Sequence, residues 1–392
     1  MSPGNYDGVV CFGGVDWWYH NRGHYDLQMM REFSARMPVL YINSIGMRVP
    51  RVGEGAMFVK RVTRKLKSLS RGLVRVRKNF GVFSPVFGPG RLGEIVAPFV
   101  PGQIRRAARR MGIRNPLVWV ACPPGVRFLD ALDPAALVYQ RTDRFEAFAG
   151  VDPEFISACN ERLLRDADLT LYCSSLLLDE EREKTPHPAF VDHGVDFDTF
   201  ERAGLEARDP ADVASIPRPR AGFVGGIDAH TFDPELFLEL ARRMDDVQFV
   251  LVGGCSLPED WCTLPNVHLL GRKPYDEVAR YMAASDVLLM PWNKSDWVRA
   301  CNPVKLKEYL AVGRPIVSTD FHELASYAEL VRTASDAEGF EREIRAALAK
   351  PFDPAPGRER VRSATWTAHA ERVLELLAKS GVHSLSSPTT NR

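Results

Sequence analysis

The chain has 392 residues, of which 45% are hydrophobic and 26% are charged, and its formal net charge is +1. This composition excludes a disordered or fibrous protein, and the length allows two or three globular domains. No apolar run approaches the roughly 20 residues of a membrane-spanning helix, and acidic residues flank the first apolar run, so we expect no signal peptide. Seven scattered cysteines without a CxxC pair are typical of reduced thiols, which favours a cytoplasmic protein.

Short β-branched runs alternate with longer amphipathic segments along the whole chain. This alternation predicts an α/β fold with parallel sheets covered on both faces. The predicted strands are Val9–Phe12, Val39–Asn43, Leu117–Ala121, Leu137–Gln140, Leu169–Cys173, Phe190–Asp192, Gly222–Val224, Gln248–Val252, Val287–Met290 and Ile316–Ser318. The predicted helices are Tyr25–Arg36, Gln103–Met111, Pro153–Arg165, Leu176–Lys184, Pro234–Met244, Tyr275–Ala284 and Pro303–Val312.

The alternation stops at residues 201–220, which are rich in Ala, Asp and Pro and lack an apolar period. We interpret this stretch as a linker between two Rossmann-like doubly wound domains, at residues 1–200 and 221–357. An amphipathic pattern at 358–380 predicts one long closing helix, and the polar residues 381–392 predict a disordered tail.

A glycine-containing loop, CFGGVDWWYHNRGHYDLQMM at 11–30, follows the first predicted strand. Ligands bind at the carboxyl ends of strands in open α/β sheets. Asp16, Trp17 and Trp18 are therefore candidates for binding an acceptor sugar, with the alternative that one tryptophan is buried in the core. His24 is a candidate catalytic group, with a structural or exposed histidine as the alternative.

Positive charge is concentrated in the first part of the chain. Residues 1–150 contain 23 Lys and Arg against 10 Asp and Glu, a net +13, whereas the remainder has 28 against 40, a net −12. Cations and apolar residues interleave in the segment 48–78, with Arg105, Arg106, Arg109 and Arg110 as further cations. We interpret this segment as a surface for an anionic membrane. The alternatives are a solvated helix face and nucleic-acid binding, for which no recognition motif is present.

Charged residues also end the strand in VYQRTDRFEAF, residues 138–148. Asp143 could accept a proton from an acceptor hydroxyl as a general base. A surface salt bridge with Arg141 or Arg144 is the equal alternative. Arg141 is a candidate for acceptor binding.

Two glycine-containing turns follow strands in the second half. Gly225 and Gly226 end a strand in AGFVGGIDAHTF, and paired glycines let backbone N–H groups approach an anion. Arg272 follows the strand in NVHLLGRKP, where backbone groups could meet a nucleobase. Ordinary surface turns are the alternative at both places.

The stretch NPVKLKEYLAVGRPIVSTD, residues 302–320, predicts a helix between a loop and a strand. Asn302 can cap this helix, Pro303 fits its first turn, and Gly313 can end it. Free N–H groups from Val304 onwards would attract a phosphate. Lys305 and Glu308 share one helix face, which suits a diphosphate and ribose hydroxyls. Lys307 is expected to point into solvent.

These motifs carry a family resemblance over nearly the whole chain. RDADLTLYCSSLLLDE and FVDHGVDFDTF within 165–200, the glycine turn at 225–226, NPVKLKEYLAVGRPIVSTD, and the closing TWTAHAERVLELL resemble family-four glycosyltransferases of the GT-B fold. More narrowly, they are similar to bacterial teichuronic-acid and exopolysaccharide glycosyltransferases. The resemblance implies two Rossmann-like domains facing a central cleft, with the C-terminal helix crossing back to the first domain.

The resemblance also implies the site. Lys305 would be a catalytic and diphosphate-binding group, Glu308 would hold the ribose, and further donor contacts would come from Gly225, Gly226, Arg272, Asn302, Pro303 and Val304. The chain departs from the family pattern at two places: Ala300 stands where the first Glu of the Glu-x7-Glu motif is usual, and residues 228–230, Asp-Ala-His, replace the usual Arg or Lys.

The function expected from the resemblance is a cytoplasmic glycosyltransferase, peripheral on the inner face of the plasma membrane. It would move a sugar from a UDP- or GDP-sugar to a lipid-linked or polysaccharide acceptor, with no cofactor and no metal. Retention is expected if the donor phosphate takes the acceptor proton, and inversion if Asp143 does. The alternatives are a nucleotide-sugar 2-epimerase on the same fold and a non-catalytic membrane-associated scaffold.

Overall fold

The structure is a computed structural model that describes residues 5–19, 23–43, 45, 47, 63–64, 67–87, 95–148 and 150–384. It divides into two compact units. The first consists of Met1–Asp192 and His369–Arg392, and the second of His193–Ala368. Each unit is built on its own parallel-rich sheet, as the strand–helix alternation predicts.

The first unit has an eight-stranded sheet. In spatial order its strands are Leu73–Arg77, Phe80–Phe83, Val39–Ile42, Gly8–Phe12, Pro116–Val120, Ala136–Arg141, Leu169–Tyr172 and Pro188–Phe190. All neighbouring strands are parallel except the edge pair Leu73–Arg77 and Phe80–Phe83. The central strands are buried along their whole length, because helices cover both faces of such a sheet.

Helices of the first unit include Tyr25–Ser34, Val100–Arg110, Leu129–Leu132, Pro153–Asp166 and Ser175–Glu181. Two of them begin at side-chain caps: Asp152 accepts from the N–H of Phe155, and Ser174 accepts from the N–H of Leu177. The helix Trp366–Lys379 begins in the second unit, and its residues from His369 belong to the first unit.

The second unit has a six-stranded sheet in which all neighbours are parallel. In spatial order its strands are Val267–Gly271, Gln248–Val252, Arg220–Val224, Val287–Met290, Ile316–Ser318 and Arg332–Thr333. The strand order reverses beside Arg220–Val224, and in doubly wound sheets ligands bind at the carboxyl ends of the strands at such a switch point. The helices of this unit are Phe197–Glu206, Pro234–Arg243, Tyr275–Ala283, Asp296–Arg299, Val304–Val312, Ala337–Leu348 and Ala355–Arg362.

Three segment boundaries differ from the sequence predictions. Residues 201–220 are part of the second unit and not a separate linker, because the helix Phe197–Glu206 packs against the helices Val304–Val312 and Tyr275–Ala283. The closing segment forms two helices, Ala355–Arg362 and Trp366–Lys379, with a break at 363–365.

The third difference lies within the predicted disordered tail. His383–Ser384 forms a short parallel strand with Asn5–Tyr6 of the same unit. Residues 385–392 lie outside the described residues, as do 48–62 and 65–66 of the basic segment. No helix in the described ranges combines the length and apolarity that crossing a bilayer requires.

Candidate functional site

Two glycine pairs lie side by side at the carboxyl edge of the second sheet. Gly225 and Gly226 follow the strand Arg220–Val224, and Gly253 and Gly254 follow the neighbouring strand. A Cβ atom on Gly253 would lie 1.7 Å from the carbonyl oxygen of Gly225, so only glycine fits there. Sequence reasoning identified the first pair and missed the second, although QFVLVGG is a strand followed by two glycines.

The Lys305 side chain reaches this glycine edge. It lies in the first turn of the helix Val304–Val312, which we call the site helix. A Cβ atom on Gly225 would lie 2.2 Å from Lys305 Nζ, so the amine sits directly against the Gly225 backbone. The amine also lies 4.5 Å from the ring of Phe223 and 5.3 Å from the ring of Trp292.

The Lys305 amine is held without a counter-ion. Within the described residues no carboxylate forms an ion pair with it, although Cys301, Glu308 and Asp228 all influence its pKa. Burial lowers the pKa of this amine to about 8, although nearby acidic groups act in the opposite direction. A half-buried cation without an ion-pair partner among the described residues can bind an anionic ligand.

Glu308 lies one turn further along the site helix. Its side chain is 4% exposed, and Oε1 accepts a hydrogen bond of 3.0 Å from the hydroxyl of Tyr275. Burial raises the pKa of the carboxyl group to about 7, although the Tyr275 hydrogen bond and the Lys305 charge act against this rise. Sequence reasoning missed Tyr275, which begins the helix after the strand Val267–Gly271.

The start of the site helix differs from the prediction. Pro303 is the N-cap residue, and Asn302 does not cap the helix. The Asn302 side chain is 4% exposed and accepts a hydrogen bond from the Lys307 amine instead. Among the described residues no side chain accepts a hydrogen bond from the N–H groups of Val304 and Lys305, so these groups are available to a ligand.

Lys307 is buried, so its expected exposure to solvent is wrong. Its exposed fraction is 0%, and its amine donates to Asn302 and lies 5.5 Å from the ring of Tyr327. The site helix is buried from Leu306 to Val312 because it packs against three other helices: Phe197–Glu206, Tyr275–Ala283 and Ala355–Arg362. When a helix is buried on all sides, the spacing of its residues does not predict which side chains are exposed.

Arg272 lies at the same edge, beside the second glycine pair. A Cβ atom on Gly254 would lie 2.5 Å from Arg272 Nε, so the guanidinium covers the Gly254 backbone while the residue stays exposed. Asp228, where the family usually has a cation, accepts hydrogen bonds from the N–H groups of His230 and Thr231 at 3.0 and 3.1 Å. It shapes the turn after Gly226.

Asp16 and Trp17 stabilise a loop of the first unit. Asp16 accepts from Asn43 Nδ2 at 3.1 Å and from the N–H of Trp18 at 2.9 Å. Trp17 packs edge-on against Phe80, with ring centroids 4.9 Å apart, so it is the tryptophan that faces the core. Their acceptor-binding role stays a prediction.

Trp18 has its ring face covered by the Arg71 guanidinium, 4.2 Å from the ring centroid. A sugar could stack on this face only after that guanidinium moves. His24 is exposed and is the N-cap residue of the helix Tyr25–Ser34. The structure therefore leaves both the stacking role of Trp18 and the catalytic role of His24 as predictions.

Arg141 is wrong as an acceptor-binding residue. Its side chain is 0% exposed, and Nη2 forms ion pairs with Glu146 at 3.0 Å and Glu181 at 2.8 Å. A buried guanidinium needs this compensation, which occupies its donors. Arg141 Nη1 also donates to the backbone carbonyl of Asp143 at 2.9 Å.

The Asp143 carboxylate forms no ion pair among the described residues. The alternative of a surface salt bridge is not seen, because Arg141 pairs with Glu146 and Glu181 while Arg144 pairs with Glu180 at 2.6 Å. Burial raises the pKa of Asp143 to about 6, with the Thr142 hydrogen bond and the Arg141 charge acting against this rise. That value suits a general base near neutral pH, and the role stays a prediction.

Comparison with known proteins places the glycine edge and the site helix within a known domain. Residues 218–350 match the family model "Glycosyl transferases group 1". The match covers most of the second unit and about a third of the chain. For this part of the chain, it confirms the resemblance to glycosyltransferases that the sequence motifs indicate.

A relative in Bacillus subtilis (strain 168) is 31% identical over 175 residues and bears the name "Putative teichuronic acid biosynthesis glycosyltransferase TuaH". The aligned region covers 42% of this chain and 43% of the relative, so the chain spans less than half of that protein's length.

Solved structures match over almost the whole chain. Sucrose-phosphate synthase from Thermosynechococcus elongatus has a TM-score of 0.66 and 16% identity, covering 95% of this chain and 98% of that one. Anabaena Alr3699/HepE in complex with UDP-glucose has a TM-score of 0.64 and 14% identity, covering 95% and 99%. These likenesses confirm the two-domain, Rossmann-like GT-B fold.

Proposed function

We propose that the chain is a glycosyltransferase that moves a sugar from a nucleotide diphosphate sugar, UDP- or GDP-linked, to an acceptor hydroxyl. The observation that supports this most is the unpaired Lys305 amine against the Gly225 backbone, beside the uncapped N–H groups of the site helix. Anabaena Alr3699/HepE, solved in complex with UDP and glucose, has the same fold.

The diphosphate would bind where positive charge converges. The Lys305 amine, the N–H groups of Val304 and Lys305, and the backbone at Gly225 and Gly226 all lie at one sheet edge. A helix N-terminus attracts phosphate through its free N–H groups and its dipole. The same groups would stabilise the negative charge that grows on the departing nucleoside diphosphate, each contributing about 3–4 kcal/mol when well placed.

The nucleoside would lie next to the diphosphate. The Glu308 carboxylate can accept hydrogen bonds from two ribose hydroxyls, and its partner Tyr275 holds it in place. Arg272, exposed beside Gly254, would border the base. The donor contacts from Asn302 and Pro303 would be indirect, since Pro303 starts the helix and Asn302 binds Lys307.

The reaction forms a bond between the acceptor oxygen and the anomeric carbon and breaks the bond from that carbon to the diphosphate. The proton of the acceptor hydroxyl must move to a base. We propose that the donor phosphate takes it, which retains the anomeric configuration and needs no metal or cofactor. Asp143 and His24 are the candidate side-chain bases, and proton transfer to Asp143 would favour inversion.

The proposed acceptor is a lipid-linked or polysaccharide chain of the cell envelope. This part rests on the similarity to a protein named for teichuronic acid biosynthesis and on the basic segment 48–78. The chain would then work at the inner face of the plasma membrane, bound to its surface.

Isothermal titration calorimetry with UDP, GDP and UDP-glucose tests the donor site. We expect binding of at least one of these ligands, and a loss of about tenfold or more in Lys305→Ala, because each contact to a charged group contributes about 1.5–3 kcal/mol. The matched control is Lys350→Ala, an exposed lysine of the same unit, which should bind normally. Wild-type affinity in the folded Lys305→Ala variant would contradict the proposed site.

Transfer assays separate the remaining functions. Release of nucleoside diphosphate that depends on a teichuronic-acid or other envelope acceptor supports the glycosyltransferase. Conversion of UDP-glucose to another sugar nucleotide without any acceptor would instead identify a 2-epimerase. Donor binding without turnover across an acceptor panel would identify a scaffold.

A further inference from the structure

The helix Val100–Arg110 in the first unit presents a row of arginines to solvent. With Gly102, the four exposed side chains line a shallow surface groove: Arg105, Arg106, Arg109 and Arg110. Within the described ranges no carboxylate forms an ion pair with any of them. One of them, Arg105, donates to the backbone carbonyl of Ala131 at 2.6 Å, which leaves its charge uncompensated.

A second basic strip adjoins the end of this helix. The edge strand Leu73–Arg77 exposes Arg75 and Arg77, and Lys78 follows. Arg75 Nη2 donates to the carbonyl oxygen of Arg110 at 2.6 Å, which fixes the strand beside the helix. Cations from two elements therefore form one continuous positive face.

Exposed apolar side chains border this positive face. Phe99 is 68% exposed, Ile95 is 67% exposed and Val86 is 57% exposed. Phe99 has helical backbone angles and precedes Arg106 by seven residues, so both lie on the same side of the helix. The Gln103 side-chain amide holds Val86 here, accepting from its N–H at 2.9 Å and donating to its carbonyl.

We infer that this face, made of Val86, Ile95, Phe99 and the arginines of Val100–Arg110, docks on the surface of an anionic bilayer. Arginines would contact lipid phosphates, and the apolar side chains would enter the boundary between headgroups and acyl chains. Charge complementarity and the placement of exposed apolar groups among the cations both favour this partner. Nucleic acid is less suited, because stacking on bases needs several aromatic rings and this face exposes one.

The inference deepens the proposed function and rests on it only for its purpose, which is to bring the protein to a lipid-linked acceptor. Binding to lipid does not depend on sugar transfer. The docking face lies after the segment 48–78 in the chain, and Arg75 of that segment bonds the end of its helix.

Co-sedimentation of the full chain with vesicles tests the inference. We expect binding to vesicles of phosphatidylcholine with phosphatidylglycerol and much weaker binding to phosphatidylcholine alone, with a steep decrease at high salt. One arginine near such a surface contributes about fivefold to the partition constant. Arg106→Glu with Arg109→Glu should therefore reduce it by about 25-fold or more. Phe99→Ser with Ile95→Ser should reduce binding at every salt concentration.

The matched control is Leu205→Ser with Arg208→Glu, because Leu205 is also 68% exposed but lies in the second unit, beside the exposed Arg208. This variant should bind vesicles as the wild type does. Thermal unfolding checks that every variant is folded. Unchanged vesicle binding by the folded Arg106→Glu, Arg109→Glu variant would overturn the inference. Tighter binding of the wild type to double-stranded DNA than to anionic vesicles would also overturn it.

Two results distinguish this inference from the proposed function. Normal vesicle binding by a protein that binds no sugar nucleotide would support the docking face and refute the donor site. Normal UDP-glucose binding without any vesicle binding would refute the docking face and keep the donor site.

Discussion

The hydroxyl of Tyr275 donates a hydrogen bond of 3.0 Å to Oε1 of Glu308, a carboxylate that is only 4% exposed. The two residues come from different helices that both begin at the carboxyl edge of the second sheet. This bond joins the start of the helix Tyr275–Ala283 to the site helix. It orients the carboxylate and favours its ionised form in a buried place.

Tyr275→Phe should weaken donor binding while the fold persists. Without the hydroxyl, Glu308 loses a donor that opposes the rise of its pKa, and its carboxylate is free to rotate. We expect about a 3- to 15-fold loss of affinity for the sugar nucleotide, equivalent to about 0.5–1.5 kcal/mol for one hydrogen bond. Calorimetry near pH 8 measures this loss, because Glu308 is then ionised.

Tyr281→Phe is the matched control for this variant. Tyr281 lies in the same helix, and its hydroxyl donates to Asp212 at 2.9 Å, away from Glu308. Donor affinity in Tyr281→Phe should equal that of the wild type. Equal losses in both variants would show that the effect of Tyr275 is general to the helix and not specific to Glu308.

Donor affinity should have a maximum between about pH 7 and pH 8. Burial raises the pKa of Glu308 to about 7 and lowers the pKa of Lys305 to about 8. Below this window Glu308 is protonated in the free protein, and above it Lys305 loses its charge, so the binding form is depleted on both sides. Titration of UDP-glucose by calorimetry as a function of pH measures the profile, because its diphosphate does not titrate in this range.

Lys305→Arg assigns the alkaline limb of that profile. Arginine stays charged throughout this range, so affinity in the variant should stop decreasing above about pH 8, even if its maximum is lower. The acid limb should remain, because Glu308 is unchanged. An alkaline limb that persists in Lys305→Arg would assign it to another group.

The same burial has opposite effects on stability at the two residues. The folded pKa of Glu308 lies above its unfolded value, so the contribution of this group to stability is present at low pH and is lost as pH rises through about 7. The pKa of Lys305 is lower in the folded than in the unfolded protein, so its positive charge destabilises the fold below about pH 8. This destabilisation disappears as the pH rises from about 8 towards the ordinary pKa of lysine. A bound diphosphate would remove the Lys305 penalty, because it supplies the missing anion.

Much of the donor site could be predicted from sequence. Gly225 and Gly226 follow an apolar run that can only be a buried strand, and Lys305 and Glu308 follow from a helix that begins near Pro303 and ends at Gly313. These residues lie at the ends of one strand and one helix, and the sequence near each end is enough to predict where the element stops. A site built from such ends can therefore be predicted from sequence.

The buried charges could not be predicted in this way. The sequence predicts a solvated Lys307 and an Arg141 that binds the acceptor, yet both side chains are 0% exposed. Lys307 donates to Asn302, and Arg141 forms an ion pair with Glu181. Tyr275 was missed for the same reason, since its partner is 33 residues away. Tertiary contact, and not spacing along the chain, decides these positions.

Arg358→Met should destabilise the protein. Arg358 is 9% exposed, and its guanidinium donates to the carbonyl oxygens of Ala311 at 3.2 Å and Val312 at 2.9 Å, at the end of the site helix. These carbonyls have no partner within the helix, and a cation there also complements the helix dipole. We expect a loss of about 2–4 kcal/mol in the free energy of unfolding, measured with denaturant.

Arg360→Met is the control for Arg358. Arg360 lies in the same helix but is exposed, and its guanidinium lies 5.0 Å from the ring centroid of Tyr327. Its removal should cost less than about 1 kcal/mol. If both variants unfold at the same denaturant concentration, the contacts of Arg358 with the helix end do not contribute to stability.

Gly253→Ala should damage both the fold and the donor site. The new Cβ atom would lie 1.7 Å from the carbonyl oxygen of Gly225, and both groups belong to backbone, so no side chain can rotate away. The ends of two neighbouring strands must then separate, which moves the Gly225 backbone away from the Lys305 amine. We expect a loss of about 2–4 kcal/mol in unfolding free energy and weaker UDP-glucose binding in the folded fraction.

Gly102→Ala is the control, because Gly102 is exposed and its added Cβ atom would have no neighbour within 4 Å beyond the adjoining backbone of its own helix. That change should be neutral or stabilise by up to about 1 kcal/mol. If Gly253→Ala matches Gly102→Ala in both stability and ligand affinity, the close approach of the two glycine turns does not shape the site.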